Sequence, residues 1–322
     1  MTELKFQDLG QGIYCVDSGL YRHALAACYL IREGDRLAFV DTGTSHTVPG
    51  LLQLIRDLGL SPEQVDYVIP THVHLDHAGG AGTLMAACPN ATLVIHPKGA
   101  PHMIDPAKLT AGATAVYGEA AFERDFGTLQ AVPEHRVVAG ADGQTLDFNG
   151  RRVTLLHTPG HANHHFCIFD ERSQGVFTGD TFGISYRELD AEPGMYLFAP
   201  TTPVAFDPDA WLQSIDKLLA KNPRGAYLTH YSRLPDPARH AETLRDSIRA
   251  MAELALAEEN EDETGRLERL HHSVREHLAQ GAVEHGCSLP RERIEQLLQV
   301  DSELNAQGLE VWLKRRARSR AS

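Results

Sequence analysis

The sequence predicts an α/β (α+β) fold followed by an all-helical C-terminal region, and three observations carry that prediction. Up to about residue 230 of the 322, short apolar runs alternate with segments of helical period. Beyond Leu234-Pro235-Asp236-Pro237 no strand-like run appears, and apolar residues recur at helical spacing, as in Leu267, Leu270, Val274 and Leu278. Ligand-type side chains cluster directly after the apolar runs, where open α/β sheets place their sites. The chain therefore divides into residues 1–235 and a helical region 236–322, the latter with three to five helices and a break at Gly286 and Pro290.

The elements follow in order. Gly12 to Asp17 and Ala26 to Arg32 read as strands, and the Gly34-Asp35 turn folds the second onto Arg36 to Val40. That hairpin ends at Asp41-Thr42-Gly43. Pro49 to Leu58 has helical spacing and stops at Gly59. Val65 to Ile69 is a strand ended by Pro70, Gly80 to Ala87 a helix, and Thr92 to His96 a strand. Residues 100–135 read as helical segments. Arg151 to Leu156, Phe166 to Phe169 and Gly175 to Thr178 are strands, and 182–207 is a long irregular stretch of the kind that is usually functional. Pro208 to Leu219 is an amphipathic helix capped by Asp207, and Ala226 to Thr229 is the last short strand.

Composition narrows the function. The formal net charge of −13 counts against a protein that clamps nucleic acid and against docking on an anionic membrane. No run approaches the roughly 18 apolar residues of a membrane helix, and Met1 to Gly10 does not read as a signal peptide. The five cysteines, Cys15, Cys28, Cys88, Cys167 and Cys287, lack paired or metal-ligand spacing, so they read as reduced, packed thiols and the chain as cytoplasmic. The basic end, Lys314-Arg315-Arg316 with Arg318 and Arg320, reads as a solvated, frayed terminus.

Eighteen histidines are many for this length, and they cluster. Thr71-His72-Val73-His74-Leu75-Asp76-His77 follows the apolar-rich strand Val65 to Ile69, so three imidazoles and a carboxylate leave one strand end together. Nitrogen and carboxylate oxygen suit zinc and iron alike. The alternation aims His72 and His74 one way, while Asp76 and His77 turn toward a neighbouring point. His161 (in His157-Thr158-Pro159-Gly160-His161), Asp180 (in Thr178-Gly179-Asp180) and His230 (in Leu228-Thr229-His230) each follow a later strand.

This pattern resembles the metallo-β-lactamase superfamily: H-x-H-x-D-H, then a distant His, an Asp and a His, with the Asp41-Thr42-Gly43 turn also matching over about residues 10 to 235. The resemblance implies an αββα sandwich with a dinuclear site at one edge. It implies that His72, His74 and His161 hold one ion, that Asp76, His77 and His230 hold the other, and that Asp180 bridges both. It further implies two divalent metal ions per chain, zinc first, with iron or manganese as alternatives. The chemistry implied is attack by a metal-bound hydroxide on a small-molecule ester, thioester or lactone, with Asp76 and Asp180 the key carboxylates. Asp41 resembles the carboxylate that orients the ligand loop. His165 is a candidate for contacting a carbonyl or supporting a ligand, beside a reading as plain packing. Tyr186 and Tyr196, in the loop where related lactonases keep a substrate tyrosine, read more readily as packing, and His23 and His46 lie in loops that the fold would turn toward the metal mouth.

Within the superfamily, β-lactamases that use Cys as a ligand have it where this chain has Asp180. Flavodiiron proteins have Glu where this chain has His74. The β-CASP nucleases carry a large insertion for which the interval Asp180–His230 is too short. The chain looks most like a glyoxalase II-like bacterial subgroup of the hydrolases. Two further readings stand beside hydrolysis of an acyl bond: an iron-dependent persulfide dioxygenase, and a phosphodiesterase on a small nucleotide. Surplus apolar residues at Val311, Trp312 and Leu313 leave a homodimer open beside burial in the chain's own core.

Overall fold

The computed structural model describes residues 5–321, so the reading of the N-terminus falls partly on residues outside them. Within these residues the chain forms two compact units. The first comprises residues up to His157, His164–Gly179 and Lys221–Pro235. The second comprises Thr158–Asn163, Asp180–Ala220 and the segment from Asp236 onward.

The first unit holds two mixed sheets whose spatial order is the chain order. One sheet has seven strands: Phe6–Asp8 (β1), Ile13–Asp17 (β2), Ala27–Glu33 (β3), Arg36–Val40 (β4), Val65–Ile69 (β5), Thr92–Ile95 (β6) and Val137–Ala139 (β7). The other has six: Thr145–Phe148 (β8), Arg151–His157 (β9), Phe166–Asp170 (β10), Gly175–Gly179 (β11), Gly225–Leu228 (β12) and Ser232–Pro235 (β13). Strands β1 to β4 pair antiparallel and β4 to β7 parallel. Parallel pairing needs crossovers, and helices Val48–Asp57, Ala81–Ala87 and those between Ala100 and Phe126 supply them.

The strict alternation of side chains explains why β2 to β4 read as continuous apolar runs. Ile13, Cys15, Ala27, Tyr29, Ile31, Ala38 and Val40 face the second sheet and meet Leu146, Leu155, Phe166, Ile168 and Phe177 there. Their neighbours Val16, Cys28, Leu30, Leu37 and Phe39 face the other way, onto Leu51, Leu54, Ile55, Leu84 and Met85 of the helices. A smaller cluster of Leu20, Leu75, Phe122 and Phe126 seats helices Ala107–Tyr117 and Glu119–Phe126 beside the loop after β5. Both sheets are also joined by a buried arginine. Arg151 on β9 bonds Asp170 on β10 at 3.0 and 2.6 Å and reaches the Gln11 carbonyl of the β1–β2 turn at 2.7 Å.

The second unit is helical. Helix Pro208–Leu219 begins at Asp207, whose carboxylate accepts from the Ala210 amide at 3.0 Å, as its sequence predicts. Helices Pro237–Ala257, Arg266–His285, Arg291–Leu297 and Gln299–Ala321 follow, with Gly286 at a left-handed φ of 99° ending the second of them. Trp312 and Leu313 are buried in this unit, Trp312 lying 5.3 Å from Phe206 ring to ring.

Several elements differ from the sequence reading. Ala226 to Thr229 is not the last strand, because β13 follows it. Pro235 and the exposed Arg233 hide that strand, and both are tolerated because it is a sheet edge. Strands β1, β7 and β8 are equally short, and β1 and β8 carry Asp, so apolar periodicity passes over them. The basic C-terminus is a helix and not a frayed tail: Arg316 and Arg320 both pair with Glu259 at 3.1 Å, and Arg315 donates to the Val204 carbonyl at 3.0 Å. All five cysteines are buried thiols. Among the described residues no helix is long and apolar enough to cross a membrane.

Candidate metal centre

In the first unit, five of the seven sequence-predicted ligands lie at the C-terminal ends of β5 and β12. His72 and His77 are fully buried, and His74 and Asp76 are half-buried. His72 Nε2 and His74 Nδ1 approach to 2.8 Å. Asp76, His77 and His230 offer ligand atoms all within 4.8 Å of one another. Asp76 Oδ2 stands 3.5 Å from His77 Nε2 and 3.2 Å from His230 Nε2.

What aims these rings is visible on their far sides. His230 Nδ1 lies 2.8 Å from the Leu25 carbonyl. A carbonyl only accepts, so that nitrogen carries a proton and Nε2 is the nitrogen turned toward Asp76. His77 Nδ1 lies 2.8 Å from Asp41 Oδ2 with the same consequence. Asp41 is wholly buried in a left-handed conformation, φ 57°, and also accepts from the Thr71 amide at 2.7 Å, the Thr71 hydroxyl at 2.9 Å and the Thr229 hydroxyl at 2.8 Å. One carboxylate thus gathers the ends of β4, β5 and β12. The Thr71 hydroxyl lies 3.1 Å from His72 Nδ1, so the hub extends to a second ring.

His165 is fully buried, its ring 4.8 Å from His72 at an interplanar angle of 29°. Gly179, φ 48°, leaves room for it: a Cβ there would stand 2.5 Å from His165 Nε2 and 2.6 Å from Thr71 Oγ1. His23 pairs with Asp17 and is mostly exposed, and His46 Nε2 lies 3.1 Å from the Glu123 carbonyl.

In the second unit, His161 and Asp180 come together, Nε2 to Oδ2 at 3.3 Å, and both are buried. His161 Nδ1 lies 2.8 Å from the Pro200 carbonyl, which fixes its tautomer as Leu25 fixes that of His230. The turn before it requires glycine. Gly160 has φ 138°, and a Cβ would stand 2.3 and 2.4 Å from Cβ and Cα of Trp211, whose own N–H is anchored on the Thr181 carbonyl at 2.7 Å. Gly160→Ala therefore costs about 2–4 kcal/mol of stability, combining backbone strain with overpacking, and a melting temperature within a degree of wild type would contradict it. Tyr186 donates to Asp301 at 2.8 Å and Tyr196 to the Leu278 carbonyl at 3.0 Å, and both rings are buried. Burial pushes the Tyr196 phenol well above its usual range.

Sequence reasoning missed the Leu25 and Pro200 carbonyls and the Thr71 and Thr229 hydroxyls as orienting groups. A backbone carbonyl leaves no trace in residue identity, and Thr229 is meaningful only once β12 lies near Asp41.

Comparison with known proteins gives a consistent picture. The model of the metallo-beta-lactamase superfamily matches residues 24–230. A metallo-beta-lactamase fold-containing protein of Sulfurisphaera tokodaii is 24% identical over 226 residues, 68% of this chain and 78% of that protein. An atrochrysone carboxyl ACP thioesterase of Aspergillus novofumigatus is 26% identical over 153 residues, 47% of this chain and only 37% of the fungal protein. Among solved structures, a metallo-beta-lactamase family protein from Thermus thermophilus superposes with a TM-score of 0.66 at 21% identity, covering 96% of this chain and 95% of that one.

Proposed function

Because the chain belongs to the metallo-β-lactamase superfamily, we propose that it is a metal-dependent hydrolase of a small-molecule thioester, ester or lactone, built on a dinuclear centre. The observation that carries this reading is the convergence of Asp76, His77 and His230, with the outward nitrogens of both rings tied to acceptors. The donor set fits divalent cations, since neutral imidazole nitrogen and carboxylate oxygen suit zinc, iron and manganese. In this proposal, as the family resemblance implies, His72, His74 and His161 would hold one ion, Asp76, His77 and His230 the other, and Asp180 would serve both. When bound, such a pair of ions polarises a carbonyl and lowers the pKa of water toward about 7.

The chain's own residues do the rest. Asp41, Leu25 and Pro200 hold Nδ1 of His77, His230 and His161 as the donor, which leaves each Nε2 as the nitrogen that could hold an ion. The buried faces around His72 and His77 exclude bulk water. An acyl bond is favoured as the target because curated relatives include the fungal acyl-carrier thioesterase, although the chain spans well under half of that protein.

Elemental analysis of protein purified without added metal, joined to a panel of thioesters, lactones and phosphodiesters, tests the proposal. About two zinc ions per chain with acyl hydrolysis support it. A single iron with turnover of a persulfide, or turnover of phosphodiesters alone, replaces it with one of the other readings. Chelation is expected to lower stability by about 3 kcal/mol or more, as removal of a ligand held near a hundred times its Kd does. A melting curve indifferent to chelator and to added zinc counts against a resident metal.

A further inference from the structure

His74 and Asp76 are the half-buried residues of the ligand loop, while His72 and His77 are sealed in, so the exposed edge of the loop runs past His74 and Asp76. Two more histidines stand there. His164 is half-buried, its ring 5.7 Å from His74 at 85° and 6.1 Å from His72 at 13°. His102 comes from a different element, helix Ala100–Ile104, is also half-buried, and lies 6.5 Å from His164 at 71°. That helix is held against the ligand loop by close approach: a Cβ on Gly99 would stand 2.9 Å from Val73 Cγ1. The nearby carboxylate of Asp105 accepts from the Ala107 amide at 3.1 Å, its own backbone.

Imidazoles at these two positions put N–H donors at the approach to the centre, and rings crossed at 71° can direct them to a common point. In a chain of net charge −13, an anionic substrate gains nothing from the overall field and needs local donors to be held. We propose that His102 and His164 form a substrate-anchoring pair that binds an oxyanion group, carboxylate or phosphate, on the molecule whose acyl bond is cleaved. The pair thereby sets specificity for anionic over neutral substrates; in this it rests on the hydrolase reading above.

The test uses His102→Phe, His164→Phe and the two Gln variants, which restore an N–H donor. Three thioesters separate the sources of the anion: succinyl-pantetheine carries a carboxylate on the acyl side, butyryl-4′-phosphopantetheine a phosphate on the thiol side, and butyryl-pantetheine neither. Each Phe variant is expected to raise KM about tenfold for one of the two anionic substrates, the worth of a hydrogen bond to a charged group. It should leave kcat and the neutral substrate within about twofold, with partial rescue by Gln. Which anionic substrate responds identifies the source. Equal effects on all three, or none, overturn the pair.

Calorimetric titration of the protein as purified with succinate and with inorganic phosphate gives a readout without turnover. Wild type is expected to bind one of them at least tenfold tighter than either Phe variant, and equal binding overturns the proposal. If no acyl substrate is hydrolysed, the hydrolase reading falls while the calorimetry still decides the pair. Metal content is measured throughout. Should His164→Phe disturb it, His102→Phe decides, since the His102 ring packs against His164, one step removed from the ligand loop.

Discussion

Replacing Asp76 with alanine is expected to lower kcat/KM by about three orders of magnitude, because it removes several kcal/mol of transition-state charge stabilisation. Asp76 is the carboxylate between His77 and His230, 3.5 Å from one Nε2 and 3.2 Å from the other. Without it the second ion position of the proposed centre keeps two imidazoles and no carboxylate but the shared Asp180. The side chain is about a quarter exposed and is not part of the apolar core, so the variant should fold with wild-type circular dichroism. Metal content is expected to fall together with activity. Unchanged activity and unchanged metal content would remove Asp76 from the centre, and with it the dinuclear mechanism.

The second large effect is expected at Asp41, and on stability before activity. Asp41→Ala leaves the Thr71 amide and hydroxyl, the Thr229 hydroxyl and His77 Nδ1 without their shared acceptor in a fully buried place. The loss should be about 3–5 kcal/mol in chemical denaturation. Metal affinity should fall about 10–100-fold, since the ring of His77 loses the partner that fixes its tautomer. Asp41→Asn is the informative control. Asparagine tolerates the left-handed φ of 57° better than alanine and keeps one acceptor, so it should lie between wild type and Ala on both measures. If Asn and Ala are equivalent and both near wild type, the carboxylate only caps a turn.

The ligand loop was legible in the sequence because everything it needs is local. An apolar strand, a proline and four ligand-type side chains fall within thirteen residues, Val65 to His77. His161, Asp180 and His230 were legible one by one as residues after strands, and it was the resemblance to a family that joined them. The two-sheet core was readable for the same reason: strands buried on both faces show as apolar runs, as in the first five residues of Ala27–Glu33. What escaped is whatever depends on distant segments meeting. Nothing near Asp41 in the chain announces that Thr229 will donate to it across 188 positions, nor that Leu25 will hold His230 across 205. His102 and His164 were equally invisible as a pair, since their relation exists only once helix Ala100–Ile104 rests on the ligand loop. Edge strands escaped for the opposite reason: their exposure lets them carry Pro, Asp and Arg, which erase the alternation that identifies a strand.

The sequential layout of both sheets has a bearing on how the molecule is made. Each strand adds beside the one before it, so a chain emerging from the ribosome can extend its sheets without waiting for its end. The ligands do not mature at that pace. His72 to His77 emerge early, on a loop whose strand already has β4 as a neighbour, while His230 arrives more than 150 residues later on β12. At about 5–20 residues per second, a bacterial or eukaryotic ribosome leaves that interval open for some ten to thirty seconds. During it the nascent chain displays an incomplete chelate, able to catch a cation loosely and to exchange it. In the proposed centre, selection of the ion is thus deferred until β12 has been made and the Leu25 carbonyl can receive the His230 ring.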